Sequence, residues 1–438
     1  MRHTRRLVLL TAALTTWAGV ATAPAASGAA AEAHRPRIQR VSVAADGTQA
    51  GNTSYDPAIS GDGRTVAFIS RANNLTPGAG HAYNLYLKDL RTGAIERANV
   101  AGDGNPDVRW VYAYSLSATG RYVAFASAAE QMGPGHVVDT HIYVRDRETG
   151  RTEPLLGDEN QHGGAGTPAI SGDGRYVAFA SDRTDLVPGG GERRHDVYVR
   201  DRWTRTTRRV SVASDGSRAD GLSLRPVISA DGNTIGFLST ADNLGTAGGP
   251  RPGPRETSFY VHDLRTGRTR PAAQSRDGRP AWVVDDGSIS PDGRYALFAS
   301  STPGIVPGDT PAVLQCYAKD LHTGTTRLVS IAHDGSPADG DCFGAVMNAD
   351  DRRVFFTSWA TNIVPGGTRR NSGVFVRDLR TGYAEQLDVS AEGTRGNGLA
   401  GPVTTDFSGH RTAFESWSDN LVPADTNDTG DIFVRDLP

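Results

Sequence analysis

One ten-residue frame returns again and again along this chain and limits what it can fold into. Ile59-Ser60-Gly61-Asp62-Gly63-Arg64-Thr65-Val66-Ala67-Phe68 recurs as Ile170 to Phe179 and as Ile289 to Phe298. The same frame fits Ser117 to Phe125, Ser229 to Phe237, Asn348 to Phe356 and Asp406 to Phe414. Its closing Phe stands at 68, 125, 179, 237, 298, 356 and 414, on average about 58 residues apart. A second block follows in each copy, Leu85 to Gly93 in the first and Ile432 to Leu437 in the last. Its Asp falls at 89, 146, 201, 263, 320, 378 and 436. Such a unit cannot bury an apolar face alone. Neighbouring units must stack, as in a propeller or a solenoid.

The third copy shows what one unit contains. Pro168 to Ser171 reads as a strand, and Asp173-Gly174 as a tight hairpin, because Gly accepts a positive φ without a Cβ clash. Tyr176 to Ser181 is rich in strand formers. A long loop leads to a third strand, Asp196 to Arg200, and a short turn leads to a fourth, Thr207 to Val212. Four antiparallel strands repeated radially make an all-β, seven-bladed β-propeller. The last copy stops after its third strand. Arg37 to Gly47 matches the fourth strand, Thr207 to Gly216. The N-terminal strand is therefore expected to pair into the last blade and close the ring, removing two exposed edges. Residues 34–438 are read as this single domain.

Composition agrees. The 438 residues include 52 Gly and 24 Pro, which suits many turns rather than disorder. A formal charge of −3 argues against a nucleic-acid partner, which calls for a basic stripe. Lys88 and Lys319 are the only lysines, so the Arg excess reads as codon usage and not as a phosphate-binding patch. Arg2, Arg5 and Arg6 precede the apolar run Leu7 to Val20 and an Ala-rich stretch, the layout of a secretory signal. Residues 1–33 are assigned to it, with Ala31-Glu32-Ala33 as the cleavage motif and Ser27-Gly28-Ala29 as its competitor. No apolar run suits a membrane span. A secreted monomer is expected.

Few residues point to chemistry. No Gly-x-Ser-x-Gly elbow, His-Glu-x-x-His or Cys-x-x-Cys occurs. Trp110, Tyr112, Trp282, Trp359 and Trp417 map to the side that carries the long loops, where stiff aromatics suit ligand stacking; loop packing is the alternative. Asp425, Asn427 and Asp431 alternate in the second-to-third-strand loop of the last blade. That spacing suits weak Ca²⁺ binding or, without a distal bidentate Glu, a hydrated turn. Cys316 and Cys342 map to the same end of their strands, so a disulfide and a pair of buried thiols both remain open. The recurrent Asp is read as a turn residue, since Asp accepts backbone N–H bonds there.

The pattern Pro-x-x-Ser-x-Asp-Gly-Arg-x-x-Ala-Phe, followed by Tyr-Val-Arg-Asp, is clearest in Pro168 to Ser181 and Val197 to Arg202. It resembles the repeats of TolB-like, WD-repeat-like bacterial propellers, over about residues 38–438. The resemblance implies a propeller used as a binding platform. TolB itself has six blades and an N-terminal α/β domain, so its translocation role and partners do not carry over. Similar repeats also precede the hydrolase domain of prolyl-oligopeptidase-like peptidases, whose activity is not implied here. The expectation is a non-catalytic scaffold that binds a protein, peptide or envelope polymer through its long-loop face. The alternatives are a propeller enzyme, hydrolase or lyase, acting on sugars or lactones, and a lectin-like carbohydrate-binding module.

Overall fold

The computed structural model describes residues 37–438 except 81, 101–109, 129–139, 157–164, 190–191, 246–255, 285–286, 310–311 and 368–370. The signal assigned to 1–33 lies outside the described residues. Seven antiparallel sheets of four strands form a seven-bladed β-propeller, and every described element is a strand or a turn. Blade 1 comprises Ser54–Ile59, Thr65–Ser70, Asn84–Asp89 and Ile95–Arg97. The first strands of successive blades touch one another, which places them at the centre of the ring.

The ring closes as the repeat pattern predicts. Ile38–Arg40 lies antiparallel to Asp431–Asp436, with Ile38 opposite Arg435 and Arg40 opposite Phe433. The Val41 amide donates to the Ile432 carbonyl at 2.7 Å, and the Asp436 amide to the Arg37 carbonyl at 2.9 Å. The outer strand of blade 7 thus comes from the other end of the sequence.

The seven Phe are buried. Each sits directly opposite an aromatic on the third strand, Phe68 on Tyr86 and Phe414 on Phe433 for example, with ring centroids 5.4–6.1 Å apart. Opposed rings on adjacent strands are strong cross-strand pairs. Where the partner is Tyr, its hydroxyl can also tie down the long loop: Tyr86 donates to the Ala72 carbonyl at 3.1 Å.

The recurrent Asp residues are turn-formers. Asp89 Oδ1 accepts the amides of Arg91 and Thr92 at 2.9 and 2.7 Å. In several blades the same carboxylate also takes an Arg from the start of the second strand, as in Arg175–Asp201 at 2.7 Å. The Arg175 guanidinium holds the Asp201 carboxyl down at about 2.

Candidate functional site

In each blade the first strand runs from the long loops to a tight hairpin, Asp62-Gly63 in blade 1 for example. The second-to-third and fourth-to-first connections therefore share one face, and the tight turns share the other. Among the described residues nine large apolar side chains are exposed. Seven of them stand on the long-loop face: Trp110, Tyr112, Leu222, Val284, Trp359, Leu399 and Trp417.

Local packing explains why the tryptophans protrude. Trp359 and Trp417 follow the second strands of blades 6 and 7, where the incoming loop presses close. A Cβ on Gly340 would lie 2.7 Å from the Trp359 carbonyl carbon, and one on Gly398 would lie 2.3 Å from that of Trp417. Only glycine permits that approach. The Trp359 amide donates to the Asp341 carbonyl and the Trp417 amide to that of Leu399, both at 2.8 Å. Trp417 Nε1 donates to Glu415 Oε1 at 3.3 Å, so one edge of the indole is held while the residue stays exposed. Trp110 packs edge-on against Tyr83 at 6.1 Å, Tyr83 packs edge-on against Tyr55 at 6.1 Å, and the Arg71 guanidinium covers the Tyr83 ring at 5.2 Å.

Of the five aromatics expected here, four are exposed and Trp282 is half-buried. Its amide donates to Thr302 Oγ1 at 2.9 Å. The five belong to blades 2, 5, 6 and 7. They form a broken rim rather than one cluster, and no described ring contact joins them.

In the last loop, read as a weak Ca²⁺ site or a hydrated turn, the carboxylates are engaged by the chain itself. Arg40 Nη1 donates to Asp425 Oδ1 at 2.7 Å and to Asp431 Oδ2 at 3.2 Å, so a cation of the chain itself occupies the space between the two carboxylates. Asn427 turns its amide nitrogen toward Asp431 Oδ2, at 3.1 Å, and Ser42 donates to Asp431 Oδ1. The two carboxylates therefore serve the ring closure, while Asn427 Oδ1 is buried without a hydrogen-bond partner. Among the described residues no group of three His, Cys, Asp or Glu converges on a metal position. Cys316 and Cys342 are brought together, with Cα atoms 5.5 Å apart and the sulfurs at bonding distance.

Two exposed aromatics, Trp203 and Tyr383, escaped the sequence reading. Trp203 lies on the opposite face, 66% exposed, in the turn after Asp201, with Arg175 over its ring at 4.8 Å. It borders a cavity of about 710 Å³ between blades 2 and 3, lined also by Tyr122, Arg151, Glu153, Arg200, Arg202 and Arg205. A signal was present. This turn replaces the Arg of Asp89-Leu-Arg-Thr-Gly with Trp and its Gly with Arg205, which adopts φ 57°.

No family model matches the chain, and no curated protein matches it. Solved structures do. The β-propeller domain of the trilobed protease from Pyrococcus furiosus has a TM-score of 0.55 and 13% identity, over 88% of this chain and 93% of that one. Oligogalacturonate lyase from Vibrio parahaemolyticus gives 0.55 and 14%, over 93% and 95%. A putative TolB from Agrobacterium tumefaciens gives 0.40 and 16%, over 63% and 80%. At these identities the likeness is one of fold alone, a β-propeller. The protease propeller is described as having an open velcro topology; in the present chain the N-terminal strand pairs with the last.

Proposed function

We propose that this protein is an exported, non-catalytic β-propeller that binds a protein, peptide or envelope polymer through its long-loop face. The observation that carries the reading is the placement of exposed large apolar groups, seven of the nine among the described residues on that face. Large aromatics gain contact area at low conformational cost and dominate binding hot spots. The tight turns of the other face are short and mostly alike, so they offer less to distinguish a partner. Several fold neighbours are enzymes, a lyase and peptidases among them. What is shared with them is the scaffold, and function resides in the loops that a scaffold carries.

The test is capture from the native extracellular fraction, with three baits. The parent and a Trp203→Ala variant are expected to retain the same partner, and a Trp110→Ala/Trp359→Ala variant to lose it with an unchanged melting curve. Capture that survives the double change and fails with Trp203→Ala would assign binding to the opposite face.

A further inference from the structure

Blade 6 differs from blades 3 and 7 at a buried polar position, and its carboxylate there has no ion-pair partner among the described residues. In blade 3 the third strand opens with Asp196. Its Oδ2 takes Arg209 at 3.2 Å and Arg218 at 2.8 Å, and its Oδ1 takes Ser211 at 3.1 Å. Blade 7 repeats the arrangement with Asp431, Arg40 and Ser42. Register fixes the counterparts in blade 6. Tyr198 faces Arg209 in blade 3, and Phe375 faces Gln386. Gln386 therefore stands where blades 3 and 7 have Arg, Asp388 where they have Ser, and Gly373 where they have Asp.

Asp388 keeps the bond that the serines make. The Val374 amide donates to its Oδ1 at 2.9 Å, as the Val197 amide donates to Ser211 Oγ at 3.1 Å. Gln386 Nε2 adds a second donor at 3.1 Å. Yet Asp388 is 1% exposed, and among the described residues no guanidinium or ammonium pairs with it. Arg395, the counterpart of Arg218, is turned to the carbonyls of Pro365 and Gly366, at 2.8 Å each, and of Gly367. Arg435 lies near enough for its charge to act on Asp388, but its own hydrogen bond goes to the Val389 carbonyl at 2.9 Å and its ion pair to Glu385 at 3.5 Å. Burial pushes the Asp388 carboxyl up to about 6, the direction expected of a carboxylate without a partner. Gln386 is 7% exposed, and its Oε1 accepts no hydrogen bond. Both side chains line a cavity of about 500 Å³, with Ser372, Thr394, Arg395 and Asn397 among its other walls.

We infer that this cavity is a binding site for a guanidinium group, with Asp388 as counter-ion and Gln386 Oε1 as a neutral acceptor. A guanidinium presents a planar fork of N–H donors, which matches a carboxylate and a nearby carbonyl oxygen. Blades 3 and 7 satisfy the buried carboxylate of this region with the same group, built into the chain. Among the described residues of blade 6 no such ion pair is built in, and on this inference the cation arrives on a free solute or on the arginine side chain of a peptide. The cavity shares no residue with the aromatic rim, so this assignment stands or falls separately from the proposed function.

Calorimetry on the purified chain tests it, using N-acetylarginine amide, its citrulline isostere and the peptide Gly-Arg-Gly. The arginine amide is expected to bind saturably and at least tenfold tighter than the citrulline compound. Asp388→Asn, which keeps an acceptor for the Val374 amide, should weaken binding at least tenfold. Gln386→Arg should do the same by supplying the guanidinium internally, and it carries the test if the first variant does not fold. Trp110→Ala should leave this binding unchanged. A peptide bound tighter than the amide assigns the site to a partner's side chain; a peptide bound no tighter assigns it to a free solute. Equal binding of the citrulline compound overturns the inference. So does unaltered affinity in both cavity variants, or no saturation up to about 10 mM.

Discussion

Asp351 occupies the turn position that the six sister hairpins give to glycine. Those glycines, from Gly63 to Gly409, adopt φ between 67° and 76°, and Asp351 adopts 59°. A Cβ in the left-handed region costs roughly 1–2 kcal/mol. Burial, then the charge of Asp292, pushes the Asp351 carboxyl up to about 6, although Arg294 lies 3.4 Å away. Its Oδ1 is buried without a hydrogen-bond partner. The folded chain therefore holds this proton more tightly than the unfolded chain, whose carboxyl titrates near 3.8. The stability linked to the bound proton is complete below about pH 4 and is lost as pH rises through 6. Asp351→Gly removes the backbone strain at every pH and the ionisation penalty only above that window. Thermal melts should show a rise of roughly 2–4 °C at pH 8 and a smaller one at pH 4. An equal rise at both pH values would leave only the backbone effect, and no rise would refute both.

At the scale of elements, the blades are joined by a belt of backbone hydrogen bonds between neighbouring hairpins. The Ala118 amide donates to the Gly172 carbonyl, Gly172 to Ala230, Ala230 to Pro291, Ala349 to Phe407, Phe407 to Gly61 and Asp62 to Ala118, all at 2.8–2.9 Å. The belt has one gap. Pro291 has no N–H to offer Ala349, so the seam between blades 5 and 6 lacks its bond. That same seam carries Cys316, on the third strand of blade 5, and Cys342, at the start of the inner strand of blade 6. Ser288 also crosses it, donating to the Ala345 carbonyl at 2.6 Å. A bridge over 26 residues contributes roughly 3 kcal/mol on the chain-entropy model. Denatured, unreduced protein should show no free thiol, and Cys316→Ser/Cys342→Ser should melt several degrees lower. Two titratable thiols in the parent, or an unchanged melting temperature in the variant, would show that the seam holds without the bridge.

For the whole molecule, what could be read from sequence divides by distance along the chain. Phe68, Asp89 and the Asp-Gly hairpins recur with their neighbours, so blade number, strand order and ring closure follow from the repeat. The cation that reaches Asp425 and Asp431 lies almost 400 residues away, and no local pattern announces it. An alternating Asp/Asn loop looks the same from within whether its counter-ion is Ca²⁺ or Arg40. The buried Asp388 carboxylate of blade 6, without an ion-pair partner among the described residues, is visible only when Gly373, Gln386 and Asp388 are compared with their counterparts in blades 3 and 7. Arg40 therefore does more than place one residue in a strand: it neutralises two carboxylates only 4% and 1% exposed, at the single joint where the ring is not continuous in sequence. Removing one partner of a buried ion pair typically costs about 3–5 kcal/mol, because the other charge stays buried. Arg40→Ala should thus weaken the closure far more than Gln39→Ala, the neighbouring position on the same strand. Limited proteolysis should cut the Arg40→Ala protein faster near Ile432 to Asp436, whose edge the N-terminal strand covers. The melting temperature should fall with it. If both variants resist protease and heat like the parent, backbone pairing alone closes the ring and the buried ion pairs contribute little to it.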